Sequence, residues 1–212
     1  MKKVRNITSS PRGTASYSIQ LAQALIDRIV AAHPGSTVQT TDLVNMNFPH
    51  LEEAHLTSFF TPADQHTEKD KAAIRHSDEA IKEIQEADIL VIGAPMYNFG
   101  IHSTLKAWLD HIVRAGHTFS YSEKGAEGLV KGKKAYLVLS SGGIYSEGPM
   151  KPNDFVEPYL RFILGFIGIT DITAFRVEGM AIPGIKEAAL EKAIAGISIP
   201  TPQLIFSTQP IL

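Results

Sequence analysis

The chain has 212 residues, of which 44% are hydrophobic and 20% are charged, and these values are ordinary for one soluble globular domain. Its net charge of -2 provides no basic field for a nucleic acid, so we expect no nucleic-acid partner. The absence of cysteine excludes disulfides, thiolate nucleophiles and cysteine-ligated metal sites. No apolar leader follows the charged start, and residues 162–169 are the longest apolar run, so we expect a cytoplasmic protein that does not enter a membrane.

Hydrophobic periodicity divides the chain into alternating strands and helices. Apolar or β-prone runs predict strands at residues 3–8, 37–43, 88–95, 133–139 and 171–177. Amphipathic patterns between them predict helices at residues 15–32, 67–86, 103–115, 154–167 and 184–196. Residues 45–65 contain two prolines and predict a long irregular connection, with His50 and His55 on its solvated surface.

This order of elements predicts an α/β fold with a flavodoxin-like, five-stranded parallel sheet and helices on both faces. We expect a single domain over residues 1–197, followed by an atypical proline-rich tail at 198–212 that either packs on a neighbouring subunit or is disordered. Arg5 and Asn6 do not fit the first strand, because an unpaired charge in a buried strand is costly. Either Arg5 reaches the rim of the sheet or that strand is misplaced.

The loop after the first strand has the properties of an anion site. Ligands of such sheets bind at the carboxyl ends of the strands, and here "SSPRGTASYS" leads directly into a helix N-terminus. Hydroxyls of Ser10, Ser16 and Ser18 can add hydrogen bonds to the helix amides. The loop matches neither the Walker motif nor G-x-G-x-x-G, so a phosphate monoester fits better than a nucleotide pyrophosphate. The alternative is that Ser16 only caps the helix.

The loop after the third strand, "GAPMYNFG", carries side chains suited to a planar ring. Pro95 and Gly100 predict a fixed turn, and the apolar residues between them offer flat or polarizable contact. Asn98 can add a hydrogen bond through its side chain or backbone. The alternative is that the aromatic residues complete the core beneath Trp108.

The loop after the fourth strand, "SSGGIY", contains two adjacent glycines. Gly142 and Gly143 would let the backbone approach a ligand edge with its amides exposed, although an ordinary glycine turn is the alternative. Because the carboxyl ends of parallel strands share one edge of the sheet, all three loops should line one crevice.

The motifs "SSPRG", "APMYNFGI", "LKAWLDHI", "SSGGIY" and "LGFIGITD" resemble those of the FMN-dependent NADH:quinone oxidoreductases, or azoreductases. The resemblance covers about residues 2–195, and some members of that family have been labelled acyl carrier protein phosphodiesterases. It implies a homodimer with FMN as cofactor and NADH as co-substrate. It also implies ping-pong hydride transfer through the flavin N5 to quinones or azo compounds, which are cleaved to aromatic amines. No side chain is then expected to be catalytic, and no metal is expected.

The resemblance also assigns residues. The FMN-binding set would be Ser10, Ser16, Tyr17, Ser18, Pro95, Met96, Tyr97, Asn98, Phe99, Ser140, Ser141, Gly142 and Gly143. Aromatic walls for the substrate would be Phe99, Tyr121, Tyr145 and Phe166. The apolar segment 159–170 could contribute to a dimer interface or be a plain core helix. Two other functions stay open: a flavodoxin-type electron carrier, and a phosphodiesterase, for which the sequence shows no metal site or nucleophile.

Overall fold

A computed structural model describes residues 1–46 and 48–199 of the chain. Five parallel strands form the main sheet in the order β2-β1-β3-β6-β7, which confirms the predicted flavodoxin-like architecture. The strands are β1 (Lys3–Thr8), β2 (Thr37–Asp42), β3 (Ile89–Pro95), β6 (Lys134–Ser140) and β7 (Asp171–Val177). Most of the predicted tail, residues 200–212, lies outside the described residues.

The described residues form six helices. They are α1 (Tyr17–Ala32), α2 (Glu53–Phe60), α3 (Glu68–Glu86), α4 (Ser103–Ile112), α5 (Glu157–Phe166) and α6 (Lys186–Ala195). Five of them cover the two faces of this sheet, while α2 packs on α3. Side chains of α3, α4 and α5 share one core with Leu90 and Ile92, while α1 and α6 share the other with Ile89 and Val91. Alternate residues of β3 therefore serve opposite faces, which explains its continuous apolar sequence. Among the described residues, no helix combines the length and apolarity needed to cross a bilayer.

The connection at 45–65 was wrongly predicted to be irregular throughout, because it contains α2. Its prolines flank this helix instead of interrupting it, and a reciprocal capping box joins Glu52 to His55. The Nδ1 atom of His55 accepts a hydrogen bond from the Glu52 amide at 2.9 Å. His55 is buried, which contradicts the solvated surface predicted for it, whereas His50 is exposed.

A small antiparallel hairpin between α4 and β6 was not predicted. It consists of β4 (Phe119–Ser122) and β5 (Gly125–Gly128). Its backbone packs directly on the chain after α5, where a Cβ atom on Gly128 would lie only 2.2 Å from the amide nitrogen of Gly168. The amide of Val130 donates to the carbonyl of Ile167 at 2.8 Å, so the hairpin is fastened to the end of α5.

Arg5 lies in β1 as predicted, because its charge is paired at the rim of the sheet. Its guanidinium lies 3.2 Å from the Glu83 carboxylate of α3 and donates to Oε1 of Gln39 at 2.6 Å. Asn6, on the opposite face, donates to Oγ1 of Thr40 at 3.3 Å. The neighbouring strand β2 is polar, and its side chains provide the partners that an apolar strand could not.

Candidate functional site

A cleft of about 310 Å³ opens at the carboxyl edge of the main sheet, where the three predicted loops meet. It is lined by Ser10, Arg12, Ser16, Tyr17, Pro95, Met96, Tyr97, Ser140, Ser141, Gly142, Met180 and Ala181. The structure thus brings together most of the residues assigned to FMN. The other four assigned residues do not line the cleft. Asn98, Phe99 and Gly143 belong to the same loops as lining residues, and Ser18 is buried in the first turn of α1.

The N-terminus of α1 faces this cleft without a side-chain cap. Ser16 holds the N-cap position but makes no capping bond, so the structure does not support the alternative that it only caps the helix. Its Oγ lies 3.0 Å from the Oγ of fully buried Ser18. The amides of the first helical turn have no partner within the helix, and together with the helix dipole they favour an anion at this end of the cleft.

Arg12 is a lining residue that the sequence interpretation missed. Its guanidinium carbon lies 5.7 Å from the centroid of the Tyr17 ring, at the same end of the cleft as Ser10 and Ser16. Among the described lining residues, it alone carries a charged side chain. The signal was present in the sequence, because a cation stands between the serines of a predicted anion loop.

The chain reverses direction tightly between Tyr97 and Gly100. The amide of each residue donates to the carbonyl of the other, at 2.9 and 3.0 Å. The two central residues, Asn98 and Phe99, have φ angles of 47° and 68°, which is the type I′ geometry of a two-residue hairpin turn. A phenylalanine is uncommon in this left-handed region, and such strain concentrates at functional sites.

This turn presents its aromatic ring to solvent instead of completing the core. Phe99 is 48% exposed, and its ring centroid lies 6.3 Å from that of Tyr145 in an edge-to-face arrangement. Met96 and Ile101, on either side of the turn, pack partly on the core, and the amide of Met96 donates to the Ser140 carbonyl at 2.8 Å. The alternative of aromatic core packing is therefore not supported for Phe99.

The loop after β6 is joined to the loop after β7 by backbone hydrogen bonds. The carbonyls of Ser141, Gly142 and Gly143 accept from the amides of Met180, Ala181 and Gly179, at 3.2, 2.9 and 3.0 Å. A Cβ atom on Gly142 would lie 3.3 Å from that of Ala181, so the glycine permits this close approach. Met180 and Ala181 were missed, although their position after the fifth strand was a signal.

Two of the predicted aromatic walls lie elsewhere. Tyr121 and Phe166 both contact Phe119, with centroid distances of 5.4 and 4.7 Å. Phe166 ends α5, which leads into the start of β7, so this cluster lies toward the amino ends of the strands. Phe99 and Tyr145 are therefore the predicted wall residues that lie near the cleft of this chain.

His102 lies next to the cleft turn and caps α4. Its Nδ1 accepts from the Thr104 amide at 3.3 Å, and its ring centroid lies 5.5 Å from that of Tyr97. Burial lowers the pKa of His102 below its ordinary value. The neutral ring can accept this capping bond, so His102 stabilises the start of α4.

Residues 2–198 match a protein family described as having the flavodoxin-like fold, and the chain belongs to this family. A curated relative from Beijerinckia indica subsp. indica, named FMN-dependent NADH:quinone oxidoreductase, is 46% identical over 193 residues, covering 91% of this chain and 96% of the relative. A relative of the same name from Mesorhizobium japonicum is 43% identical over 192 residues, covering 90% and 91%. The resemblance stated from the motifs is confirmed.

Solved structures of similar fold include proteins described as azoreductases. One, from Bacillus anthracis str. Sterne, superposes with a TM-score of 0.84 at 30% identity and covers 92% of this chain and 98% of its own. An FMN-dependent NADH-azoreductase from Bacillus anthracis str. Ames Ancestor, solved in complex with FMN, gives a TM-score of 0.83 at 26% identity, covering 92% and 95%.

Proposed function

We propose that the chain is an FMN-dependent NADH:quinone oxidoreductase with azoreductase activity. The observation that carries the proposal is the cleft, which joins an uncapped helix N-terminus to an apolar turn and a glycine loop. Relatives that match about nine-tenths of the chain carry the first activity in their names, and similar solved structures carry the second.

FMN fits the residues present in the cleft. The first-turn amides of α1, the hydroxyls of Ser10 and Ser16 and the guanidinium of Arg12 can hold a phosphate dianion. Met96 and Tyr97 can contact a flat ring, and Ser140–Gly142 can approach its polar edge. One end of the cleft is thus suited to the phosphate and the other to the ring.

When bound, FMN supplies the two-electron hydride exchange between a nicotinamide and a flat acceptor. The chain's own contribution is position and electrostatics. Within the described part of the chain, the amides of Asn98 and Gly143 have no hydrogen-bond partner, so both can stabilise negative charge at the ring end. Phe99 and Tyr145 flank the mouth of the cleft, where they can exclude water and guide flat molecules.

We further propose a homodimer, in which Tyr121 and Phe166 would serve as substrate walls only in the cleft of the neighbouring subunit. Large apolar side chains are exposed on the hairpin and on α5: Tyr121 is 73% and Phe162 is 69% exposed. Exposed apolar surface of this kind is typical of interaction sites. Sedimentation velocity tests the assembly, with a dimer expected and a monomer at micromolar concentration as the contradicting result.

We propose one domain over residues 1–197, a cytoplasmic location and no membrane partner. The absence of cysteine from the sequence is compatible with a reducing compartment.

Anaerobic stopped-flow mixing of the FMN-loaded protein with NADH tests the proposed activity. We expect rapid bleaching of flavin absorbance by NADH alone, followed by recolouring with benzoquinone or an azo dye. Steady-state turnover should consume about one NADH per quinone and two per azo bond, because azo cleavage to two amines takes four electrons.

Other outcomes of these assays favour the two alternatives. Protein that NADH does not reduce, but that exchanges single electrons after chemical reduction, would be a carrier of the flavodoxin type. Hydrolysis of a phosphodiester by flavin-free protein with added divalent metal would favour the phosphodiesterase.

A further inference from the structure

Two aromatic side chains near the cleft stand on loops that are linked through one half-buried arginine. Phe99 follows β3 and Tyr145 follows the neighbouring strand β6, and their rings meet edge to face with a 6.3 Å centroid distance. Each ring stands on a loop, and loops are the most mobile part of such a sheet edge. Their separation therefore depends on what fastens the two loops.

The loop of Tyr145 is fastened by Glu178, the first residue after β7. Its Oε1 accepts the amides of Tyr145 and Ser146, at 2.8 and 3.0 Å, and its Oε2 accepts the Ser146 hydroxyl at 2.5 Å. Three hydrogen bonds to one ionised carboxylate are strong and directional. Glu178 therefore sets the path of the chain on which the Tyr145 ring stands.

The loop of Phe99 is fastened through the segment that begins α5. The carbonyl of Phe99 accepts the amide of Phe155 at 3.1 Å. The preceding residue, Asp154, accepts the amides of Val156 and Glu157 at 2.9 and 3.2 Å, so its carboxylate orders the start of the helix. Phe155 is thus held in place by Asp154.

Arg176 joins these two anchors. Its Nη1 lies 3.2 Å from Oε1 of Glu178, and its Nη2 donates to Oδ2 of Asp154 at 2.5 Å. Its Nε donates to Oε2 of Glu157 at 2.9 Å. The side chain of Arg176 is 17% exposed and those of Asp154 and Glu178 are 5% and 13% exposed, so solvent screens these contacts weakly.

We propose that Arg176 is a positioning residue that fixes the gap between Phe99 and Tyr145 and thereby the binding of the flat co-substrates NADH and quinone. The inference rests on the proposed function. Its chemical basis is the planar guanidinium, whose fork of donors joins three carboxylates on two segments, the start of α5 and the end of β7, as a lysine ammonium cannot. A role in stability alone would leave substrate binding unchanged in the folded protein.

The kinetics of two Glu178 variants distinguish a positioning role of this network from a role in stability alone. Glu178→Ala removes the acceptor for the Tyr145 and Ser146 amides, while the pairs of Arg176 with Asp154 and Glu157 remain. We expect the KM values for benzoquinone and NADH to rise about tenfold, with kcat and the Kd of FMN within about twofold of the parent, because only co-substrate binding is lost. Glu178→Gln keeps an acceptor oxygen and should restore both KM values.

Arg176→Lys should give KM values between those of the parent and Glu178→Ala. The matched control is Arg161→Met. Arg161 also pairs with Glu157, at 2.7 Å, and donates to the Ile172 carbonyl, but contacts neither Asp154 nor Glu178. This control should leave the KM values unchanged. If Arg176→Lys does not fold, because an ammonium cannot pair with all three carboxylates at once, the comparison of Glu178→Ala with Glu178→Gln still tests the proposal.

Unchanged KM values in Glu178→Ala, or a fall in kcat that only follows lost FMN content, would overturn the role of Arg176. Absence of turnover in the parent protein would instead overturn the proposed function. The two failures are therefore distinguishable in one set of assays.

Discussion

Ser16 and Ser18 pair their hydroxyl oxygens at 3.0 Å, although Ser16 holds the N-cap position of α1. A serine at this position ordinarily bonds to a helix amide. Here the Ser16 hydroxyl occupies no helix amide, so the first-turn amides remain available to an anion. When Ser18 donates to Ser16, the Ser16 hydroxyl proton is available to the anion as well. We infer that the start of α1 binds phosphate and that Ser16 therefore forms no capping hydrogen bond with the helix.

Ser16→Ala should therefore weaken FMN binding without weakening the fold. A hydrogen bond to a charged group contributes about 1.5 kcal/mol, so the Kd of FMN should rise about tenfold. Riboflavin lacks the phosphate, and its Kd should not change. Fluorescence titration of the apoprotein with both flavins is the measurement. Thr14→Ala, at an exposed position of the same loop, is the control; an equal rise for riboflavin would contradict this assignment.

Arg12→Ala should lower FMN affinity in a salt-dependent way. Arg12 is the charged side chain among the described residues lining the cleft, and its interaction with a phosphate dianion should be screened by salt. The difference in FMN Kd between parent and variant should shrink as salt rises, while Arg12→Lys should restore part of it. Arg75→Ala removes an exposed arginine from α3 as a charge control. A salt-independent difference, or one shared by riboflavin, would show that Arg12 does not contact the phosphate.

Replacing each of two glycines at or near α5 by alanine should change the stability of the protein in opposite directions. A Cβ atom on Gly128 would meet the backbone of Ile167 and Gly168 at 2.2–2.5 Å, and backbone cannot move aside cheaply. Gly128→Ala should therefore destabilise the protein by at least about 3 kcal/mol. Gly165, inside α5, has nothing within 4 Å of such an atom, so Gly165→Ala should stabilise by about 0.5–1 kcal/mol. Urea unfolding measures both; equal effects would contradict the packing of the hairpin on α5.

His111 should make the protein less stable as the pH falls below neutrality. Burial, and then the neighbouring His55, lower the pKa of His111 from 6.5 to about 4. The unfolded chain takes up this proton near pH 6.5, whereas the folded chain resists it until about pH 4. The free energy of unfolding should thus fall through that window, by about 3 kcal/mol in total, and level off below it.

Urea unfolding at several pH values checks the contribution of His111. His111→Phe should flatten the pH dependence relative to the parent, because the site is already enclosed by the rings of Phe48, His55 and Phe59. His33→Phe, at the end of α1 and outside this cluster, is the control. An unchanged slope in the His111 variant would contradict the assignment.

The main sheet could be predicted from sequence because each buried strand has a recognisable pattern within its own segment of the chain. Strand β3 is a continuous apolar run, and β1 was correctly placed despite Arg5, whose partner Glu83 is distant in sequence. The hairpin has no such signal, since Gly125–Gly128 lacks alternating apolar residues. Helix α2 was not predicted because the prolines that flank it suggest an irregular segment. The burial of its side chains also depends on packing against α3, which is not visible in the segment itself.

The site was predictable as a convergence of loops but not in its details. The serines after β1 indicate an anion site, and the aromatic residues after β3 indicate a site for a planar ring, through their residue types alone. Met180 and Ala181 reach the cleft through backbone bonds to Ser141 and Gly142, and no pattern in their side chains reveals this. Sequence alone also does not distinguish Tyr145, which lies near the cleft, from Tyr121, which lies away from it. Both are tyrosines near predicted strands, and only the path of the folded chain separates them.

A crystal structure of the protein with FMN would show whether this cleft is the flavin site. We expect the phosphate against the first turn of α1, within hydrogen-bonding distance of Ser10 and Ser16, and the ring between Met96–Phe99 and the loop at 140–143. An FMN-soaked crystal whose cleft holds no flavin, or holds it with the phosphate away from α1, would contradict it.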